Sequence, residues 1–183
     1  MKSLVNYTEI EQSYKRISHY SVETPLLSST LLNEKFNSKI YVKAENLQKI
    51  GAFKFRGAIN SILKLRDNQK NVLAWSSGNH AQAVASACSL TNRKATIVMP
   101  EDSPVAKFNG TKSWGADIVT YNRYKESREE IGKDLARKLN AIIIPPFDHV
   151  DVINGQGTAG YEILKECSIK NINPDLILCC CGG

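Results

Sequence analysis

The stretch "NVLAWSSGNHAQAVASACSLTNRKATIVMP", residues 71–100, is the most informative in the chain. Residues 71–77 read as a strand and residues 94–100 as a second one. Between them, an alanine-rich segment from Gly78 reads as a helix. Strand, helix, strand is the unit from which parallel sheets are built.

On either side of this unit the alternation continues. Upstream, "KIYVKAE" (39–45) alternates like a strand. A helix follows Gly51, with Phe55, Ala58, Ile59, Ile62 and Leu63 at helical spacing. Residues 8–19 predict a first helix, with Thr8 as N-cap, Glu11 completing a capping box, and Ile10, Tyr14 and Ile17 on one face. A short helix is expected within 26–36. Downstream, Pro104 stands near the start of another helix. "WGADIVTY" (114–121) is a strand, and residues 124–139 are a surface helix with Glu129–Lys133 and Asp134–Lys138 at i,i+4. "AIIIPPF" (141–147) is a buried strand stopped by Pro145. "GQGTAGYEILKEC" (155–167) opens a helix after glycines, and "PDLILCCC" (174–181) is a last strand. Several strands are uniformly apolar. That pattern belongs to an α/β protein whose open, mostly parallel sheets carry helices on both faces.

The 183 residues suffice for one large domain or two small ones, and 42% of them are apolar. No apolar run reaches eighteen residues, and the N-terminus has no apolar signal region, so a membrane protein is not expected and a cytoplasmic one is. The net charge of +6 is scattered, without a basic run interleaved with aromatics, so no nucleic-acid partner is expected. The five cysteines fit neither a disulfide framework nor metal-ligand spacing. Cys179, Cys180 and Cys181 read as small hydrophobes in a buried strand, and no metal site is expected. A strand followed at once by Gly182 and Gly183 is how phosphate-cradling loops begin, so the end reads as a cut.

In open α/β sheets, ligands bind beyond the carboxyl ends of the strands. "SSGNH", Ser76 to His80, stands at such an end and at a helix start, where backbone N–H groups bind a carboxylate or phosphate. A plain turn and N-cap would account for one Ser or Asn there, and less well for all five residues. His80 is either a base or, as we favour without a partner in sight, a core histidine. Lys54, in "KIGAFKFRGA" (49–58), stands near a helix N-terminus, where the macrodipole disfavours a cation. Flanking aromatics that desolvate the amine would lower its pKa and make it nucleophilic. On local features alone, a solvated surface lysine is the better account.

"ENLQKIGAFKFRGA", "SSGNHAQAVA", "IVMPEDSPVAK", "GADIV", "INGQGTAGYEI" and the terminal "CCCGG" occur in that order. Together they resemble the serine/threonine dehydratase and serine racemase family of fold-type-II pyridoxal-phosphate enzymes, over about Tyr14 to Gly183. The resemblance implies a tryptophan-synthase-β-like fold with the large domain truncated. Residues 1–70 and 145–183 would belong to the large cofactor domain and 71–144 to a small inserted domain. It also implies pyridoxal phosphate held by Lys54, Phe53 against its ring, Asn79 on its ring oxygen, and Gly182 and Gly183 in the loop that grips its phosphate. Ser76, Ser77, Gly78, Asn79 and His80 would cradle the substrate carboxylate. In racemase-like members the residue matching Ser77 is the acid/base on the ring face opposite the lysine. Gly155 and Gly157 match positions we read as mainly structural. Ile50 stands where many relatives have threonine, and Ala52 where many have serine, which removes a hydroxyl that can bond to the phosphate. A stimulatory Mg2+ or Ca2+ would bind beyond the end of this chain. The implied activity is dehydration of L-serine or L-threonine to a 2-oxo acid and ammonia. Serine racemisation is the alternative, and 3-hydroxyaspartate a further substrate. A homodimer is implied for the full length, and an inactive fragment of such an enzyme is the competing reading of the chain as it stands.

Overall fold

The computed structural model describes residues 5–180. Helix α1 (Tyr7–Ile17) is capped by Asn6, whose side chain accepts from the Glu9 N–H, rather than by Thr8. Strand β1 (Leu26–Ser28) pairs antiparallel with β2 (Tyr41–Lys43), across the short helix α2 (Thr30–Phe36). No local pattern announces β1, because three residues are too few to establish an alternation. Two tight turns, Glu45–Leu47 and Lys49–Gly51, lead into α3 (Lys54–Leu63).

The second sheet is built from β3 (Asn71–Trp75), β4 (Lys94–Pro100), β5 (Asp117–Tyr121) and β6 (Ile142–Ile143). Its order is β5-β4-β3-β6, and every pairing is parallel. Helices α4 (Asn79–Leu90), α5 (Val105–Ser113) and α6 (Arg128–Leu139) connect its strands. Alternate side chains of β3 and β4 enter two separate clusters. Val72, Ala74, Ile97 and Met99 pack with Ala81, Val84 and Cys88 of α4 and with α3. Leu73 and Val98 pack with Ala136 and Leu135 of α6. The sheet is thus covered on both faces, as uniformly apolar strands require.

Helix α7 (Val150–Ile169) begins five residues before "GQGT", so its glycines lie inside the helix. Tertiary contact decides this against propensity. A Cβ on Gly155 would fall 2.6 Å from the Arg56 carbonyl oxygen and 2.7 Å from Gly57 Cα, so α7 and α3 cross backbone to backbone. A Cβ on Gly157 would instead fall 2.9 Å from the end of the Ile10 side chain of α1. Both glycines are therefore packing positions. The surface helix α6 starts at Arg128 behind a Ser127 cap, later than residue 124, and its ion pair is Asp134–Arg137 at i,i+3.

The expected last strand is not formed among the described residues. Pro174 to Cys180 is irregular, and Leu176, Ile177 and Leu178 are 73%, 60% and 86% exposed. Cys179 and Cys180 are exposed as well, which corrects their reading as core residues. A strand forms only where a neighbour takes its backbone hydrogen bonds, and no described strand pairs with this segment. Gly182 and Gly183 lie outside the described residues.

Candidate active site at the sheet's switch point

The order of the four-stranded sheet places the site. From β3 the chain moves outward through β4 and β5, then returns by α6 to lay β6 on the other side of β3. The direction of winding reverses between β3 and β6. In open α/β sheets such a reversal, beyond the carboxyl ends of the two strands, is where ligands bind. Residues 76–80 follow β3, and Ile144 to Pro146 follow β6.

These segments are joined. His80 Nε2 lies 3.0 Å from the Ile144 carbonyl oxygen. Since a carbonyl only accepts, Nε2 carries the hydrogen and Nδ1 is left as an acceptor. His80 is buried, and its Nδ1 has no hydrogen-bond partner among the described residues. Burial pushes the imidazole pKa down to about 4, and the Lys54 charge adds to this against the pull of the Ile144 carbonyl. His80 is therefore neutral, a ring that fastens the two loops.

Lys54 opens α3, and its Nζ donates to the Pro146 carbonyl oxygen at 2.8 Å. The amine lies 5.4 Å from the centre of the half-exposed Phe53 ring, and no carboxylate pairs with it among the described residues. Burial pushes its pKa below the ordinary lysine value. Lys54 is thus neither a solvated surface charge nor half of an ion pair. The chain reaches it through two consecutive left-handed residues, Ile50 (φ 61°) and Gly51 (φ 71°). The conformation suits glycine. For a β-branched residue it is strained by roughly 1–3 kcal/mol, held here by packing of Ile50 against the core.

In the loop after β3, Ser76 Oγ accepts from the Gly78 N–H at 3.2 Å. Ser77 is exposed, and its hydroxyl has no partner among the described residues. No side chain caps α4, so the N–H groups of its first turn stay available to an anion. Asn79 Oδ1 accepts from Lys107 Nζ at 2.5 Å.

Beneath Lys54 lies a charged network that the sequence did not reveal. Arg56 is fully buried. Its guanidinium donates to Glu45 (2.8 and 2.7 Å), to Glu162 (2.6 and 2.8 Å) and to Thr158 and Thr24. Lys43 pairs with Glu162 at 2.7 Å, so two cations face two carboxylates. Burial alone would favour neutral arginine. The carboxylates more than offset it and raise the pKa above the ordinary value. Burial likewise pushes the Glu45 carboxyl up, and its bonds to Arg56 and Thr24 bring it below the usual range. The network clamps the first turn of α3 to α7 and to the turn at Glu45. Its partners lie up to 106 residues apart in sequence, so no local pattern announces it.

The structure thus fastens Lys54, which follows Phe53, and the loop Ser76, Ser77, Gly78, Asn79 and His80 to one segment, residues 144–146. Sequence reasoning missed the Ile144 and Pro146 carbonyls and Lys107. Pro145 and Pro146 at a strand's carboxyl end, and Lys107 within "SPVAK", were the available signals. The lysine end of this site fits an aldehyde-bearing pyridine cofactor. It offers a partly desolvated amine without a counter-ion among the described residues, and a ring beside it. Among the described residues, no group of three or more His, Cys, Asp or Glu is placed to hold a metal ion.

The family model described as "Pyridoxal-phosphate dependent enzyme" matches residues 17–183. The chain is 51% identical to an L-threo-3-hydroxyaspartate ammonia-lyase of Saccharomyces cerevisiae, over 87% of this chain and 50% of that protein. It is 40% identical to a serine racemase of Schizosaccharomyces pombe, over 98% of this chain and 55% of that protein. Among solved structures it superposes on a serine racemase from Dictyostelium discoideum with a TM-score of 0.85 and 38% identity, covering 90% of this chain and 54% of that one. The chain spans about half the length of the curated relatives it matches. It belongs to the pyridoxal-phosphate-dependent enzymes, in the fold-type-II group that includes the threonine dehydratases and serine racemases.

Proposed function

We propose that the protein acts on a β-hydroxy amino acid, L-serine or L-threonine first. It removes the α-proton and the β-hydroxyl to give, after hydrolysis, a 2-oxo acid and ammonia. The observation that carries this reading is the meeting at the switch point of the Lys54 amine with the loop 76–80, both fastened to the segment Ile144–Pro146.

Lys54 would hold pyridoxal phosphate through Nζ, with Phe53 against the ring, Asn79 on its ring oxygen, and Gly182 and Gly183 on its phosphate. When bound, the cofactor supplies a sink for the negative charge left at Cα. The chain's own residues do the rest. An amine with a lowered pKa is a competent base near neutrality, and Lys54 takes the α-proton. The free N–H groups at the start of α4, those of Asn79 and His80 among them, with Ser76, Ser77 and Gly78, would take the substrate carboxylate and set the Cα–H bond toward the amine. The division into a large domain (1–70 and 145–183) and a small inserted one (71–144) is supported by a parallel sheet drawn wholly from residues 71–143. A homodimer is adopted for the full length from family resemblance.

A specific feature favours serine racemisation as the second reading. The Ser77 hydroxyl is exposed and unpartnered among the described residues, free to deliver a proton to the opposite face of Cα. The similarity to a 3-hydroxyaspartate lyase keeps that dicarboxylic substrate in view. The test supplies the chain with pyridoxal phosphate and each amino acid, and measures 2-oxo acid, ammonia and D-serine. We expect 2-oxo acid from L-serine and L-threonine, abolished in Lys54→Ala, and retained in Ser77→Ala while D-serine is lost. Equal loss of both products in Ser77→Ala contradicts the division of roles, and turnover that survives Lys54→Ala contradicts the reading itself.

A further inference from the structure

Lys107 stands on the first turn of α5, and its ammonium reaches Asn79 Oδ1 across to the first turn of α4. The two helices are fitted for this approach. Gly110, one turn on from Lys107, lies against Gln82, one turn on from Asn79. A Cβ on Gly110 would come within 3.0 Å of the Gln82 amide carbon. The glycine lets α5 lie close, in the register that pairs Lys107 with Asn79. The turn is anchored from below by buried Thr111, whose hydroxyl donates to the Lys107 carbonyl at 2.8 Å. Among the described residues, no carboxylate pairs with Lys107 and no group accepts from Asn79 Nδ2.

An ammonium has three donors and no acceptor. It can face only the oxygen of the Asn79 amide, and the NH2 must then point away from it. A free asparagine has no such constraint, since its two ends exchange by a flip. We infer that Lys107 is a positioning residue for the cofactor. It holds the Asn79 amide in one orientation, so that Nδ2 is presented as a hydrogen-bond donor to the cofactor's ring oxygen. Its charge, one group further back, favours the anionic form of that oxygen. The flipped amide would set oxygen against oxygen. This inference rests on the proposed role of Asn79 and adds to it the residue that makes Asn79 a donor.

Two measurements on the whole chain decide it. In the 15N-labelled protein, the Asn79 side-chain NH2 signals are assigned by their loss in Asn79→Asp. They should move in Lys107→Met, which no longer fixes the oxygen. Lys107→Arg, still a pure donor, should keep the wild-type positions. With pyridoxal phosphate added, Lys107→Met should shift absorption from the visible band toward the near-ultraviolet form, and Lys107→Arg should restore the visible band. Asn79 signals unchanged in Lys107→Met overturn the inference at the amide. A wild-type visible band that Lys107→Met leaves unaltered overturns the positioning role alone. No visible band in the wild type overturns the cofactor reading, and with it the role assigned here, which separates that failure from the other two.

Discussion

His80 shows how one buried group ties the site to stability. Its folded pKa of about 4 lies below the ordinary value of 6.5, so between those values the unfolded chain binds a proton that the folded one refuses. Stability from this group is therefore complete above about pH 6.5 and is lost as the pH falls through about 4. The gap corresponds to roughly 3 kcal/mol, without discount for solvent because the ring is 3% exposed. In His80→Gln the amide N–H2 still reaches the Ile144 carbonyl but does not titrate. Urea unfolding between pH 4 and 7 should give a flatter profile for this variant than for the wild type, and parallel profiles would contradict the assignment. At this scale the sequence was informative about identity and silent about state. "SSGNH" and Lys54 could be picked out as a site, and His80 could be favoured as structural. The lowered pKa of Lys54 and the neutrality of His80 follow from burial, and the carbonyls that hold both groups come from residues more than sixty positions away.

Among the elements, the α3–α7 crossing decides where Lys54 sits. Gly155 meets backbone atoms of α3, which cannot step aside, whereas Gly157 meets the end of the flexible Ile10 side chain. Gly155→Ala should destabilise by about 1–3 kcal/mol through overpacking. Gly157→Ala should cost less, because Ile10 can rotate and alanine gains up to about 1 kcal/mol of helix propensity over glycine. Chemical denaturation of the two variants checks the order, and equal effects would count against a backbone contact at Gly155. The helices and strands of residues 71–139 were legible because each carries its own period and the connections between them are short. Helix α7 was misjudged at its start, since glycines weaken a helix locally and only tertiary contacts, with α3 at Gly155 and with Ile10 at Gly157, explain their presence. The strand expected over 174–181 was misjudged for a related reason. Its apolar run announces burial, and burial in a sheet is the property of a neighbour.

For the whole molecule, the decisive fact is the reversal of strand order between β3 and β6. It brings residues 54, 76–80 and 144–146 together from three separate parts of the chain. No periodicity shows which side of β3 the strand β6 takes, so the site was not visible until the sheet was assembled. The Arg56 network then fixes the first turn of α3 against α7, so the Lys54 amine projects from a turn with little freedom to move. On our reading, this geometry makes Lys54 the amine that captures the cofactor's aldehyde. The direct test mixes the chain with pyridoxal phosphate, reduces with borohydride, and maps the label by peptide mass spectrometry. We expect the label concentrated on Lys54, in the peptide spanning residues 50–56. Label spread over the exposed lysines in proportion to their accessibility, with none preferred at Lys54, would refute that role.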